Sequence, residues 1–105
     1  MALLEPISAR SKADRRLARL AKAMAGTTCP EEMERFLTDL CTPAELRALS
    51  ERWHVAQLLE RGETSYREIS ADTGISTTTI GRVARFLRDE PHKGYRAVLD
   101  RISRE

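Results

Sequence analysis

The segment from Ser65 to Arg88, SYREISADTGISTTTIGRVARFLR, constrains this chain more than any other. It reads as one short helix, a glycine turn and a second helix. Ser65 and Glu68 stand three apart, so the serine hydroxyl can accept from the amide of Glu68 while the glutamate reaches back to the amide of Ser65, a capping box that starts a helix. Ile69 and Ala71 follow on this first helix. Gly74 supplies the left-handed backbone that ends it. Ile75 points inward, and Ser76 caps a second helix whose first turn carries threonines. At about 100° per residue, Ile80, Val83, Ala84 and Leu87 fall on one stripe, which is expected to face a core. Thr78, Gly81, Arg82 and Arg85 lie on the opposite face, with Thr77 and Arg88 on its flank. No acid occurs between Ser76 and Arg88. Such a face is cationic and slim at its N-terminal end. Short side chains let a backbone approach base edges, and guanidinium groups suit phosphate or guanine. The pattern predicts a helix-turn-helix over 65–88, and with it DNA binding.

The rest of the chain is helical in period. Residues 1–10 contain Pro6, carry no periodicity and are expected to form a loose arm. From Ser11 to Ala25, Leu17, Leu20, Ala21 and Met24 form a stripe. Arg15, Arg16, Arg19 and Lys22 lie outside it, and Gly26 ends the helix. The basic face suits either contact with DNA or plain solvation. Pro30 opens a further helix at its first position, with Met33, Phe36, Leu37 and Leu40 as the apolar stripe. Thr42-Pro43-Ala44-Glu45 is a second capping box, with proline at the first helical position. The helix after it runs to about Arg61 and ends at Gly62. Its apolar residues, Leu46, Leu49, Trp53, Val55, Ala56, Leu58 and Leu59, cover most of the circumference. Burying such a helix all round needs more protein than 105 residues readily supply, which points to an interlocked dimer. The run Asp89-Glu-Pro91-His-Lys-Gly94 breaks the helical pattern. Tyr95, Val98, Leu99 and Ile102 then define a last amphipathic helix. The expected fold is all-α with about six helices, divided into an arm and basic helix over 1–28, partly flexible, and a domain over 29–105.

Charge distribution adds to this. The net charge is only +2, but residues 1–26 hold six basic side chains against two acidic, residues 27–60 three against seven, and residues 61–105 nine against seven. An acidic middle between basic ends suits a core flanked by surfaces that meet phosphate. Cys29 and Cys41 lack CxxC spacing, and His54 and His92 are isolated, so no metal site is expected. Both cysteines are read as free thiols of a reducing cytoplasm. No signal peptide and no apolar run approaching the roughly 20 residues of a membrane span is evident. A cytoplasmic protein without membrane contact is expected. Nothing suggests an enzyme: no histidine stands by a nucleophile, there are no paired inward carboxylates, and no glycine-rich phosphate loop is present.

These residues resemble the Trp repressor superfamily, and within it the small YerC/YecD-type DNA-binding proteins. The resemblance runs from about Phe36 to Ile102. It rests on Leu40-Cys-Thr42-Pro43-Ala-Glu-Leu-Arg-Ala-Leu49, Arg52, Leu58-Leu-Glu-Arg-Gly62-Glu-Thr-Ser65-Tyr-Arg-Glu68-Ile, the segment Thr73 to Leu87, and Gly94-Tyr-Arg-Ala-Val-Leu-Asp-Arg101. It implies an intertwined homodimer with two reading heads one helical turn apart on a palindromic operator in double-stranded DNA. Base and phosphate contacts carry over to Arg67, Ser70, Ser76, Thr77, Thr78, Gly81 and Arg88. Arg67 and Arg88 would grip phosphate or guanine. The amides near Ser76 and Thr77 would hold phosphate, and Thr77, Thr78 and Gly81 would face base edges. In this superfamily the corepressor indole lies between two arginines beside a threonine carbonyl. Thr42, Arg52 and Arg82 match those positions, but two further pocket positions, glycine and serine in the family, are Val83 and Phe86 here. Either Phe86, wedged by Val83, occupies the indole's space between the two arginines, or it is a dimer-core residue beside a collapsed pocket. Both versions argue against tryptophan as an effector. No cofactor is expected, and a small-molecule effector is not expected either, although whether another ligand binds beside Arg52 and Arg82 stays open. The resulting expectation is a dimeric, sequence-specific transcriptional regulator acting as a repressor. A low-specificity architectural DNA-binding protein, a tryptophan-responsive repressor and a protein–protein adaptor stay open as alternatives.

Overall fold

The computed structural model describes residues 11–105; the arm expected over 1–10 lies outside them. Among the described residues there are six α-helices and no strand: α1 Lys12–Ala25, α2 Pro30–Leu40, α3 Pro43–Arg61, α4 Tyr66–Thr73, α5 Thr77–Arg88 and α6 Gly94–Ser103. The chain divides into two compact units, one ending at Thr42 and one spanning Pro43–Glu105. Helix α2 thus falls in the first unit.

Local sequence explains where the helices begin and end. Ser11 caps α1 through a box with Asp14: its hydroxyl accepts from the Asp14 amide at 3.0 Å, and its own amide donates back to the carboxylate. Gly26 terminates α1. Pro30 occupies the opening turn of α2, where a missing N–H costs nothing. None of the described residues of this first unit is buried. Leu17 is 65% and Leu40 48% exposed. Cys29 and Cys41 are free thiols.

The second unit holds a core. Ser65 and Glu68 form the expected box, with Ser65 Oγ accepting from the Glu68 amide at 3.1 Å and Glu68 Oε1 accepting from the Ser65 amide at 2.9 Å. Gly74 closes α4 at φ +78°, the left-handed conformation. Thr73 reinforces the turn. Its hydroxyl donates to the Ile69 carbonyl at 2.6 Å and accepts from the Ile75 amide at 3.1 Å. Ser76 caps α5 by accepting from the Thr79 amide. Ile80, Val83, Ala84 and Leu87, the stripe the helical wheel predicts, are all buried. They pack with Val55, Ala56 and Leu59 of α3, Ile69 of α4, Ile75 of the turn and Leu99 of α6. Helix α5 is therefore central, in contact with α3, α4 and α6.

Burial of helix α3 all round is an expectation for the dimer and not for one chain. Within one chain only the side carrying Val55, Ala56 and Leu59 is buried, while Leu49 is 43% exposed. A unit of this size offers α3 a single face of neighbours. The break over 89–93 is a turn in which Lys93 takes a left-handed φ of 60° before Gly94 opens α6.

Candidate nucleic-acid interface

Burial of the Ile80 stripe fixes which side of α5 faces outward. Ser76, Thr77, Thr78, Arg82, Arg85 and Arg88 are exposed, and Gly81 is half-buried. On α4, Arg67 is exposed and Ser70 half-buried. No acid lies in the first turn of α5, and Arg85 and Arg88 are in its last turn. The Ser76 hydroxyl takes up one amide of the first turn. The partial positive charge of that end and its remaining amides suit an anion. A Cβ added at Gly81 would meet nothing within 4 Å. The protein itself therefore does not require glycine there.

The arginines on this face are not loose. Arg88 donates to the Tyr66 hydroxyl at 3.4 Å, which links the last turn of α5 to the first residue of α4. Arg85 Nε stands 3.5 Å from Glu90 Oε2, and Glu90 Oε1 is 3.9 Å from His92 Nε2. The Arg82 and Arg85 guanidinium carbons lie 4.3 and 5.0 Å from the Phe86 ring centroid, within cation–π range. Phe86 also stacks on His92, with centroids 6.0 Å apart and planes at 12°.

Four of the expected ligand-pocket residues, Arg52, Arg82, Val83 and Phe86, line one cleft of about 590 Å³ within the second unit. Thr42 falls in the other unit. The cleft stays open beside Phe86, and the ring's two cations are Arg82 and Arg85 rather than Arg52 and Arg82. The reason is geometric. Arg82 precedes Phe86 by four residues on the same helix, so its stem rises beside the ring, whereas Arg85, its immediate neighbour, reaches the ring by the course of its own side chain. Sequence reasoning did not place Trp53, His92, Tyr95 and Val98 on this cleft. Trp53, Tyr95 and Val98 were legible as apolar positions of α3 and α6, but not as walls of one space. Sequence reasoning also missed the clamp that ties α6 to the end of α3. Arg96 pairs bidentately with Glu60, its two terminal nitrogens 2.9 and 2.6 Å from the carboxylate oxygens, and reaches Asp100 at 3.1 Å. The hydrogen bond from Arg96 is the main reason the Glu60 carboxyl titrates below its ordinary value. Among the described residues no His/Cys/Asp/Glu group is placed to hold a metal, and no helix is long and apolar enough to cross a membrane.

A glycine-turned helix pair with an outward, acid-free, cationic second helix defines a helix-turn-helix protein of the DNA-binding regulator class. Comparison with known proteins identifies the family. The Trp repressor protein family model matches residues 15–103, and the chain belongs to that family. It is 44% identical over 72 residues to a Bacillus subtilis (strain 168) protein named uncharacterized protein YerC, covering 69% of this chain and 67% of that one. A crystal structure of a TrpR-like protein from Eubacterium eligens ATCC 27750 superposes with a TM-score of 0.75 at 35% identity, over 85% of this chain and 90% of that chain. A Trp-repressor candidate from Staphylococcus aureus superposes at 0.76, also at 35% identity, over 91% of each chain.

Proposed function

We propose that this chain is a sequence-specific transcriptional regulator, a repressor, that binds a palindromic operator as a homodimer in the cytoplasm, without tryptophan as corepressor. The observation that carries the reading is the outward face of α5. Thr77, Thr78 and Gly81 form a slim, uncharged N-terminal half, and Arg82, Arg85 and Arg88 follow in the C-terminal half. The first half suits close approach to base edges and the second suits phosphate or guanine. Arg67 and Ser70 on α4, with the Ser76 cap, would add backbone contacts. Dimerisation is supported by the lack of any buried residue among those described in the first unit and by the exposed Leu49 side of α3. Independence from tryptophan is supported by Val83 and Phe86, which stand on the cleft beside Arg82.

One observation favours a second reading, a tryptophan-responsive repressor: the cleft is open and has aromatic walls. Selection of bound duplexes from a random pool, with and without added tryptophan, separates the two. A palindromic motif recovered equally in both conditions supports the constitutive regulator. A motif recovered only with tryptophan supports the second reading and rejects the first. Uniform, salt-sensitive binding without a motif rejects both in favour of an architectural DNA-binding protein.

A further inference from the structure

Three arginines stand on the last two turns of α5, and each is held by a different neighbour. Arg88 donates to the Tyr66 hydroxyl. Arg85 reaches Glu90 through Nε, which leaves its two terminal nitrogens to another acceptor. Arg82 has no carboxylate within ion-pair distance among the described residues; its guanidinium lies over Phe86 instead. Phe86 sits where the outward face of α5 meets the buried stripe, half-buried, next to the fully packed Val83 and Leu87. Both faces of its chemistry are in use. The ring's negative quadrupole attracts Arg82 at 4.3 Å and Arg85 at 5.0 Å. His92, from the turn before α6, stacks almost parallel to it at 6.0 Å and stands beside the same Glu90 that holds Arg85.

From this geometry we infer that Phe86 is a positioning residue for DNA: it holds the Arg82 and Arg85 guanidinium groups as a fixed cationic pair, with His92 bracing the ring and Glu90 tethering Arg85. The inference rests on the DNA-binding reading above and names a residue that touches no base or phosphate itself. A free arginine gives up many rotamers when it grips a phosphate. One already held against a ring gives up fewer, so the same contact yields tighter binding. Within one chain Phe86 is half-buried beside the packed Val83 and Leu87, so its ring is open to the guanidinium groups of Arg82 and Arg85.

The test is a mutant-cycle comparison on the duplex recovered by selection, or on a mixed-sequence duplex if no motif emerges. Phe86→Leu keeps apolar bulk and removes the ring. It is expected to weaken binding roughly five- to tenfold at low salt, with the loss shrinking as salt rises. Phe86→Trp, which keeps an aromatic face, is expected to bind like the parent. In a background carrying Arg82→Gln and Arg85→Gln, Phe86→Leu is expected to cost nothing further, an outcome that a purely structural role would not produce. An equal loss in that background, or no loss in the parent, overturns the inference while leaving the DNA reading intact. Failure of the parent protein to bind any duplex at low salt overturns both. A readout independent of variant folding is the proton spectrum of the parent. Side-chain protons of Arg82 and Arg85 are expected upfield from the ring current, and ordinary arginine shifts would overturn the inference.

Discussion

Gly81 stands in the middle of a twelve-residue helix, where glycine costs about 1 kcal/mol relative to alanine because the unfolded chain loses more freedom. Its backbone is helical and a Cβ would meet nothing, so neither turn geometry nor internal packing accounts for it. Gly74 is the contrast: its φ of +78° is one that L side chains rarely adopt. Replacing Gly81 by alanine should therefore raise stability by about 0.5–1 kcal/mol. If Gly81 makes room for DNA, the same change should weaken duplex binding about tenfold or more. Thermal unfolding and a binding titration on one preparation check both halves, and gain of stability with unchanged affinity would count against Gly81 as a point of approach.

Each helix of the second unit depends on α5. Ile80 is fully buried on it and belongs to the cluster shared by α3, α4, the turn and α6. Ile80→Ala should cost about 2–5 kcal/mol through lost burial and the cavity left behind, read as a lower denaturation midpoint in urea. The pairing of α3 with α6 adds an electrostatic link whose sign can be worked out. Glu60 is held below its ordinary value of 4.5, chiefly by the hydrogen bond from Arg96. A carboxylate with a depressed folded-state pKa stabilises the fold above its unfolded value, and that contribution disappears as pH falls through the folded value. The stability difference between the parent and Glu60→Gln should accordingly be constant near neutrality and close as pH drops below about 4.5. The gap itself should be modest, because both partners are solvent-accessible. Urea titrations at stepped pH test this, and a gap that persists in acid would show that the pair acts through packing alone.

At the scale of the whole molecule, the described residues leave apolar surface uncovered: Leu17, Leu40, Leu49, Val98 and Ile102 are all exposed. Scattered apolar residues on a surface are ordinary. A unit that buries none of its described residues is not, because helices as short as α1 and α2 are marginal without packing. In the proposed dimer the second copy supplies that packing. Leu49→Glu, at an exposed position of α3, should then leave the fold of the second unit intact but shift the protein from dimer to monomer in sedimentation equilibrium. Duplex binding should fall with it, since one half-site contact replaces two. A parent protein that sediments as a monomer at the concentrations where it binds DNA would reject the homodimer.

Much of this molecule was written locally. Helix starts at Ser65 and Ser76 and stops at Gly62 and Gly74 follow from capping and left-handed turns that involve neighbours three or four residues apart. The buried stripe of α5, and by subtraction its outward face, follows from a period of 3.6. What the tertiary structure decided are the meetings between distant residues, for which no local pattern exists. Arg88 reaches Tyr66 and Arg96 reaches Glu60 across 22 and 36 positions. Residues of α3, α5, α6 and the turn before α6 enclose one cleft. Phe86 illustrates the division. Its neighbour Arg82 is set by helical spacing, four residues before it, whereas His92 comes to its ring only because the turn over 89–93 folds back. Periodicity assigns each residue to a side of its own helix. Which sides then meet depends on how the helices pack.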